Sequence, residues 1–145
     1  MKTFYKNGNR NPGFDPIDLN NLVNKLTSSI LPMAVDKKSF FINDIRGKMM
    51  VCADEDILAS VLSILLNTAV SETENNCIRI STKRFGNIVL LYICDNCNKG
   101  NNGIANNLFK VETMAEKLGG CLTITNNRIK GNTIAFYFYN NQLAA

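Results

Sequence analysis

Residues 55–72 read EDILASVLSILLNTAVSE and form the longest helical pattern in the chain. Apolar side chains surround most of this helix, which predicts that it lies buried in the core. Its polar residues follow in steps of three or four and therefore share one stripe, which consists of Ser60, Ser63, Asn67 and Ser71. A buried amide without a partner costs about 1–3 kcal/mol. Asn67 is therefore expected either to bond protein groups or to face a ligand or hydrated cation, while a stripe that simply faces water remains an open alternative.

Two strand patterns follow this helix. Residues 77–84 alternate between apolar and polar, as in a strand with one wet face, and a turn follows at Phe85-Gly86-Asn87. The run from Ile88 to Cys94 is continuously apolar, which predicts a central strand. Asp95 comes directly after it, and a carboxylate there must be solvated or hydrogen-bonded. Asp95 is either a ligand-binding group at the end of a strand or a plain strand terminator.

The remaining patterns complete an alternation of helices and strand pairs. They predict a helix capped by Asp18 that Pro32 ends or kinks, a hairpin of residues 39–44 and 48–52 around Arg46-Gly47, a helix over 104–118 that stops at Gly119-Gly120, and a last hairpin of 121–125 and 133–139. This order predicts an α/β (α+β) two-layer sandwich, in which about three helices back one face of a mixed, mostly antiparallel sheet. Residues 17–140 are expected to form this single domain, between a flexible segment over 1–16 and a tail over 141–145.

Composition and charge disfavour several classes of protein. The 145 residues are the length of one domain, and the net charge of +4 includes no run of five basic residues, so no nucleic-acid footprint stands out. The apolar run at 88–94 is far shorter than the roughly 20 residues of a membrane helix, and the first residues show no signal core. The absence of histidine excludes an imidazole base, metal ligand or phosphoacceptor within these residues. Five cysteines, an odd number, favour reduced thiols and a cytoplasmic location.

The segment after the central strand contains two further motifs. Cys94 and Cys97 form a C-x-x-C pair, but no helix begins directly after it, and no second pair or histidine completes a zinc site. Redox and metal roles for this pair are therefore disfavoured. The polar loop from Lys99 to Gly103 precedes a predicted helix, so its backbone amides are candidates to receive an anion. The loop matches no phosphate-binding motif, and its asparagines also suit ordinary loop and cap positions.

Four segments, taken in order, resemble the motifs of the histidine-kinase-like ATPases, the GHKL superfamily. The stretch from Asp54 to Ala69 resembles the N-box helix, and Ile88 to Asn96 resembles the strand that enters the first glycine box. The stretch from Glu112 to Thr125 resembles the helix and strand near the end of such domains, and Arg128 to Phe136 resembles their final GKGTTF hairpin. The resemblance spans about Ile17 to Tyr139 and implies that ATP is held against a sheet backed by helices.

This resemblance also implies roles for individual residues. It implies that Asn67 coordinates magnesium, that Asp95 recognises the adenine amino group and that Thr133 lies near the adenine. Ser63 stands where some branches of the superfamily carry a glutamate base, and a serine hydroxyl cannot take a proton from water near neutral pH. No catalytic residue is therefore assigned.

Both glycine boxes depart from the family pattern. The first, normally DxGxG, reads DNCNKG here, so that Cys97 stands where glycine lets the backbone approach the base and Gly100 is the glycine that remains. The second box would fall at residues 105–108, without its glycines, and the lid between the boxes is only a few residues long. These departures imply weak or absent catalysis.

The favoured hypothesis is a degenerate ATP-binding domain of the histidine-kinase type that works in signalling, with Mg-ATP or ADP as its ligand. The first alternative is a non-catalytic pseudo-ATPase that serves as a protein-interaction or dimerisation module. The second is a protein kinase that acts on a separate partner. The expected partners are a signalling protein and a second copy of the chain, without nucleic acid and without membrane insertion.

Overall fold

The computed structural model describes residues 15–95, 111–127 and 131–140. In chain order the elements are β1 (Pro16–Asp18), α1 (Leu19–Ser29), α2 (Leu31–Asp36), β2 (Phe40–Asn43), β3 (Met50–Cys52), α3 (Glu55–Ser71), β4 (Cys77–Phe85), β5 (Ile88–Asp95), α4 (111–117), β6 (Cys121–Asn127) and β7 (Gly131–Tyr139). The predicted flexible segment lies outside these residues except for 15 and 16, and so does the predicted tail. Among the described residues, no helix combines the length and apolarity needed to cross a membrane.

The main sheet has five strands in the order β2-β4-β5-β7-β6. The strand pair β2–β4 is parallel, and the other three pairs are antiparallel. The predicted mixed, mostly antiparallel sheet is therefore confirmed, and so is the central position of β5. A two-residue turn at Gly86-Asn87 joins β4 to β5, since Phe85 pairs with Ile88.

The helices cover one face of this sheet and form the second layer. Alternate residues of β5 are buried against them, and α3 is buried along most of its length, as its apolar circumference predicts. The core joins α1, α3 and α4 to the strands; its largest fully buried side chains are Leu19, Leu58, Leu62, Leu65, Leu66, Ile78, Ile80, Leu91, Ile93, Phe136 and Phe138. The described chain has four helical segments rather than about three, because α2 adds one short helix.

The hairpin predicted for residues 39–52 is wrong. Strand β2 pairs in parallel with β4, and β3 pairs with β1 in a separate two-stranded antiparallel sheet. Two short β-prone runs that are close in the sequence do not fix their own pairing, because each can pair instead with a strand that is distant in the sequence. The connection between them is held instead by side chains of α1.

Helix α1 begins as predicted but ends earlier. The Asp18 carboxylate caps it by accepting the backbone N–H of Asn20 at 3.1 Å. The helix ends at Ser29, ahead of Pro32, which lies in the first turn of α2. Proline is tolerated there because no intrahelical partner is lost at that position. Pro32 therefore lies in the first turn of a new helix rather than kinking the first.

An asparagine network ties α1 to the connection between β2 and β3. The Asn20 amide donates to the carbonyl oxygens of Ile45 at 3.1 Å and Gly47 at 2.7 Å. Asn43 donates in turn to the amide oxygens of Asn20 and Asn24, each at 2.8 Å. These bonds satisfy polar groups of a connection that has no regular structure of its own.

Replacing Asn20 with alanine is expected to lower the free energy of unfolding by about 2–3 kcal/mol. The change removes two donated bonds and leaves Asn43 without one acceptor, and each lost bond contributes about 1 kcal/mol. Chemical denaturation monitored by circular dichroism measures the loss. Asn21→Ala is the matched control, since Asn21 is exposed beside it and has no side-chain hydrogen bond to a described residue. Equal losses in the two variants would contradict the role of the network.

Candidate functional site

A buried carboxylate marks the end of the central strand. Asp95 is only 4% exposed. Its Oδ2 accepts the hydroxyl of Thr73 at 3.2 Å, and its Oδ1 accepts the backbone N–H of Asn132 at 3.3 Å. Asp95 is therefore not a solvated turn residue, and hydrogen bonds support its charge inside the domain.

The strand geometry explains how Asp95 comes to face the helices. Side chains alternate along β5, so that Asp95 lies on the same face as the core residue Ile93. Its neighbour on β4 is Ile78, which is fully buried. Thr73 reaches the carboxylate from the segment just after α3. The end of the sheet and the end of α3 thus meet at Asp95.

On the other side of Asp95 lies Asn132, at the start of β7, which was not predicted from the sequence as a site residue. Cys94 pairs with Thr133, so Asn132 lies beside Asp95 in the antiparallel ladder and on the same face. Asn132 is 3% exposed, and its Nδ2 is buried without a hydrogen-bond partner within the described structure. Its position could have been found from the alternation of Ile134 and Phe136, which sets the buried face of β7, but only once the register against β5 was known.

Asn67 and Ser63 form a polar contact on α3. The Asn67 amide donates to the backbone carbonyl of Ser63 at 2.8 Å, and its Nδ2 lies 3.5 Å from the Ser63 hydroxyl. Both residues are half-buried, whereas Ser60 and Ser71 of the same stripe are exposed. The hydrogen bond from the Asn67 amide to the helix backbone therefore satisfies one of the polar groups of this half-buried side chain. No described residue donates a hydrogen bond to Asn67 Oδ1. This oxygen is therefore the candidate atom of Asn67 for binding a ligand or a cation.

Asn67 and Asp95 lie toward the same end of the domain. Four residues separate Asn67 from Ser71 at the end of α3, which corresponds to about 6 Å along the helix axis. The chain then reaches Thr73, which bonds Asp95. The carboxylate therefore bonds a residue just beyond the end of the helix, and the asparagine lies on the helix's more exposed stripe.

Thr133 and Cys94 face the other side of the sheet. They pair across β5 and β7, and the Thr133 hydroxyl lies 3.6 Å from the Cys94 sulfur. The structure therefore does not bring the Thr133 side chain beside the Asp95 carboxylate. Cys97 and Gly100, the other predicted site residues, lie outside the described residues.

The described residues contain no cluster of side chains that indicates metal binding or redox chemistry. Cys52, Cys77, Cys94 and Cys121 are free thiols, and no group of three or more potential ligand residues converges there. A cleft of about 440 Å³ lies between α1 and the start of α3, lined by residues such as Asn21, Lys25 and Glu55. This cleft contains none of the predicted site residues.

No protein-family model and no curated protein sequence matches the chain. Solved structures do match it. The histidine kinase AdeS of Acinetobacter baumannii superposes with a TM-score of 0.74 at 16% identity, over 89% of this chain and 69% of that one. The catalytic domain of histidine kinase ThkA, in a nucleotide-free form, gives 0.72 at 16% identity, over 88% of this chain and 97% of that one. Full-length ShkA in complex with AMPPNP gives 0.77 at 17% identity, over 90% of this chain and 32% of that one.

The coverage of ThkA is the most informative of these comparisons, because the two chains match over nearly their whole lengths. The match therefore concerns the complete arrangement of helices and sheet rather than one shared motif. The chain has the fold of histidine kinase catalytic domains, as the order of its sequence motifs predicts.

Proposed function

We propose that this chain is an adenine-nucleotide-binding domain of the histidine-kinase type, with weak or no catalysis of its own. The observation that carries the proposal is the buried Asp95 carboxylate at the end of the central strand. An exocyclic amine of a purine is a hydrogen-bond donor, and a carboxylate held by protein bonds is a preorganised acceptor for it. Buried Ile78 and Ile93 beside Asp95 supply the apolar surroundings that ligand sites commonly have.

Asn67 would hold the magnesium ion that accompanies the nucleotide. Magnesium prefers oxygen ligands and keeps several waters, so one amide oxygen together with nucleotide phosphates suits it. Asn67 Oδ1 fits this requirement, because the amide N–H is already bonded to Ser63 and fixes which atom is left for the ion. The bound ion neutralises phosphate charge.

The proposal of weak catalysis depends on what the chain lacks. Ser63, which contacts Asn67, is no base near neutral pH. The 145 residues include no histidine, so a phosphorylated histidine would have to lie outside them. A structure of ThkA holds the response regulator TrrA. We therefore take a signalling protein as the expected partner of this chain.

Isothermal titration calorimetry with Mg-ATP and Mg-ADP tests the proposal, with EDTA added in a parallel series. We expect saturable heat that is larger in magnesium. No heat at millimolar nucleotide, from a protein that circular dichroism shows to be folded, would eliminate nucleotide binding.

Replacing Asn67 with alanine is expected to weaken the binding of Mg-ADP by about tenfold or more, because the ion loses a protein ligand. Binding of ADP in EDTA should not change. Ser60→Ala, two turns earlier on the same stripe and exposed, is the control and should match the wild type in both buffers. An equal loss with and without magnesium would show that Asn67 acts on the nucleotide or the fold rather than on the ion.

A second candidate function is a pseudo-ATPase that serves as an interaction or dimerisation module. The short helix α2 exposes Leu31, Met33 and Val35, and Phe40 of β2 is also exposed. Apolar surface of this kind is typical of contacts between proteins. Sedimentation velocity over a range of protein concentrations separates the candidates: a dimer with no nucleotide binding favours the module, whereas a nucleotide-binding monomer favours the first proposal.

A further inference from the structure

The central strand of the main sheet is apolar on the face that the helices do not cover. In an antiparallel sheet with one face in water, strands alternate between apolar and polar residues. Strand β5 does not, because Ile88, Leu90, Tyr92 and Cys94 lie on the side away from the helices and none of them is charged. A continuous apolar run is typical of a strand covered on both faces. In the described part of the chain these four side chains are only half-buried, so this face of β5 still lacks a cover.

The neighbouring strands extend this surface, which we call the open face. It consists of four rows of side chains that the register aligns across β4, β5, β7 and β6: Phe85-Ile88-Tyr139, Lys83-Leu90-Tyr137-Cys121, Ser81-Tyr92-Ala135-Thr123 and Arg79-Cys94-Thr133-Thr125. Phe85 and Tyr139 are 59% and 44% exposed. Only two of the side chains in these rows are ionised, and one of them, Arg79, is paired with Asp44. Abundant aromatic residues and few charges are typical of the core of a protein interface.

The open face is large enough to hold two proteins together. Its four strands have seven to nine residues each. With strands about 4.8 Å apart and a rise of about 3.3 Å per residue, they cover about 500 Å² in projection. Two such faces packed together would bury about 1,000 Å² or more, the size that a specific interface needs. Two sheets pack in this way about 10 Å apart, with their strands nearly aligned.

The distribution of charge on the open face suits a second copy of the same chain. A two-fold axis along β5 would place β4 of one copy over β7 of the other, in both directions at once. Lys83 would then lie over the ring of the second copy's Tyr137, and Phe85 over its Tyr139. A cation above an aromatic ring and a pair of aromatic rings are both favourable contacts. No two like charges of the open face would oppose each other.

The side chains on the axis are complementary in size as well. Tyr92 lies in the third row, between the small residues Ser81 and Ala135. A large side chain flanked by small ones leaves room on both sides for the matching ring of a second copy. This alternation of large and small side chains is how two packed sheets interdigitate.

We propose that the open face is a homodimer interface, at which two copies of this chain pack their main sheets together about a two-fold axis along β5. The surface is separate from the exposed apolar residues of α2. The inference does not depend on nucleotide binding.

Two charge variants of Tyr92 test the proposal by sedimentation velocity over a range of protein concentrations. Wild-type protein should form a dimer. Tyr92→Lys and Tyr92→Glu should each weaken it by at least roughly thirtyfold, because a central aromatic contact is lost and like charges meet on the axis. An equimolar mixture of the two variants should form the dimer again, because lysine then faces glutamate. Val35→Lys, an exposed position on α2, is the control and should dimerise as wild type does.

A measurement on wild-type protein alone does not depend on whether a variant folds. Cys94 lies on the open face, whereas Cys52 belongs to the small sheet. Alkylation followed by mass spectrometry should show that Cys94 reacts more slowly as the protein is concentrated, in proportion to the dimer fraction, while the rate at Cys52 stays constant.

The outcomes separate this inference from the proposed function. A wild-type protein that remains monomeric would overturn the inference, and so would a dimer in which Cys94 reacts as fast as in the monomer. A dimer that Val35→Lys dissociates and the Tyr92 variants do not would place the interface on α2 instead. Absence of nucleotide binding in calorimetry would overturn the proposed function and leave the dimer intact.

Discussion

Replacing Asp95 with asparagine is expected to abolish most of the nucleotide affinity while leaving a folded domain. Asparagine has the same shape and can present its oxygen to the Asn132 N–H and its amide to the Thr73 hydroxyl, so both observed contacts have a substitute. The purine amine, however, would meet an uncharged side chain whose only acceptor oxygen is already bonded. A hydrogen bond to a charged group contributes about 1.5–3 kcal/mol, which corresponds to a loss of roughly 10- to 150-fold in affinity.

The same substitution should lower the free energy of unfolding by about 1–2 kcal/mol, since the charge-assisted bonds to Thr73 and to the backbone of Asn132 become neutral ones. Calorimetry and thermal melts of one preparation measure the two effects together. Asp44→Asn is the control, because Asp44 is an exposed carboxylate paired with Arg79, whose side chain lies on the other face of the sheet from Asp95. An Asp95→Asn protein that binds Mg-ADP as wild type does would show that Asp95 is a structural residue and not the acceptor for the base.

Much of the fold could be predicted from the sequence, because the residue pattern within a single helix or strand can show by itself that the element is buried. The apolar circumference of α3 and the continuous apolar run of β5 each require a buried position, and no distant information is needed to see this. The stop after α4 is equally local. The backbone N–H of Gly120 bonds the carbonyl of Ala115, and that of Gly119 bonds the carbonyl of Glu116, the pattern of a Schellman motif.

Pairing between strands could not be predicted in the same way. Whether β2 joins β3 or β4 depends on which arrangement continues a sheet, and that is decided by residues far apart in the chain. Hydrogen bonds among the asparagines at positions 20, 24 and 43 tie the end of β2 to α1 rather than to β3. Asparagine is common in loops, so nothing local separates these three from the many others in the sequence.

The candidate site, too, could be predicted from the sequence only where a local pattern was enough. Asp95 could be singled out because a charged residue directly after a buried strand needs a partner. Its actual partners, Thr73 and the backbone of Asn132, come from the end of α3 and the start of β7, and only the packed structure brings them together. Thr133 was predicted from a motif match. It lies one residue after the position opposite Asp95, so its side chain is on the other face of the sheet. Register decides which face a strand residue meets, since a shift of one residue exchanges the faces.

Replacing Gly120 with alanine is expected to lower the free energy of unfolding by at least about 3 kcal/mol, or to prevent folding. A Cβ atom at this position would overlap the backbone carbonyl oxygen of Tyr137. Backbone cannot move aside as a side chain does, because Tyr137 pairs with Cys121 at the start of the β6–β7 ladder. The chain would have to separate these strands or unwind the end of α4, and either change exposes part of the core. A loss of this size is a large fraction of the 5–15 kcal/mol that stabilises a typical domain.

Gly86→Ala is the matched control, since a Cβ there would meet nothing within 4 Å and the only cost is the left-handed backbone at φ +59°. That cost is about 1–2 kcal/mol. Urea denaturation of the two variants compares steric exclusion with backbone strain in one protein. A Gly120→Ala protein that unfolds at the urea concentration of Gly86→Ala, or above it, would mean that β7 does not lie against residue 120 in solution. The placement of Asn132 on the same strand would then need to be revised, because the register that aligns it with Asp95 depends on β7 keeping this position.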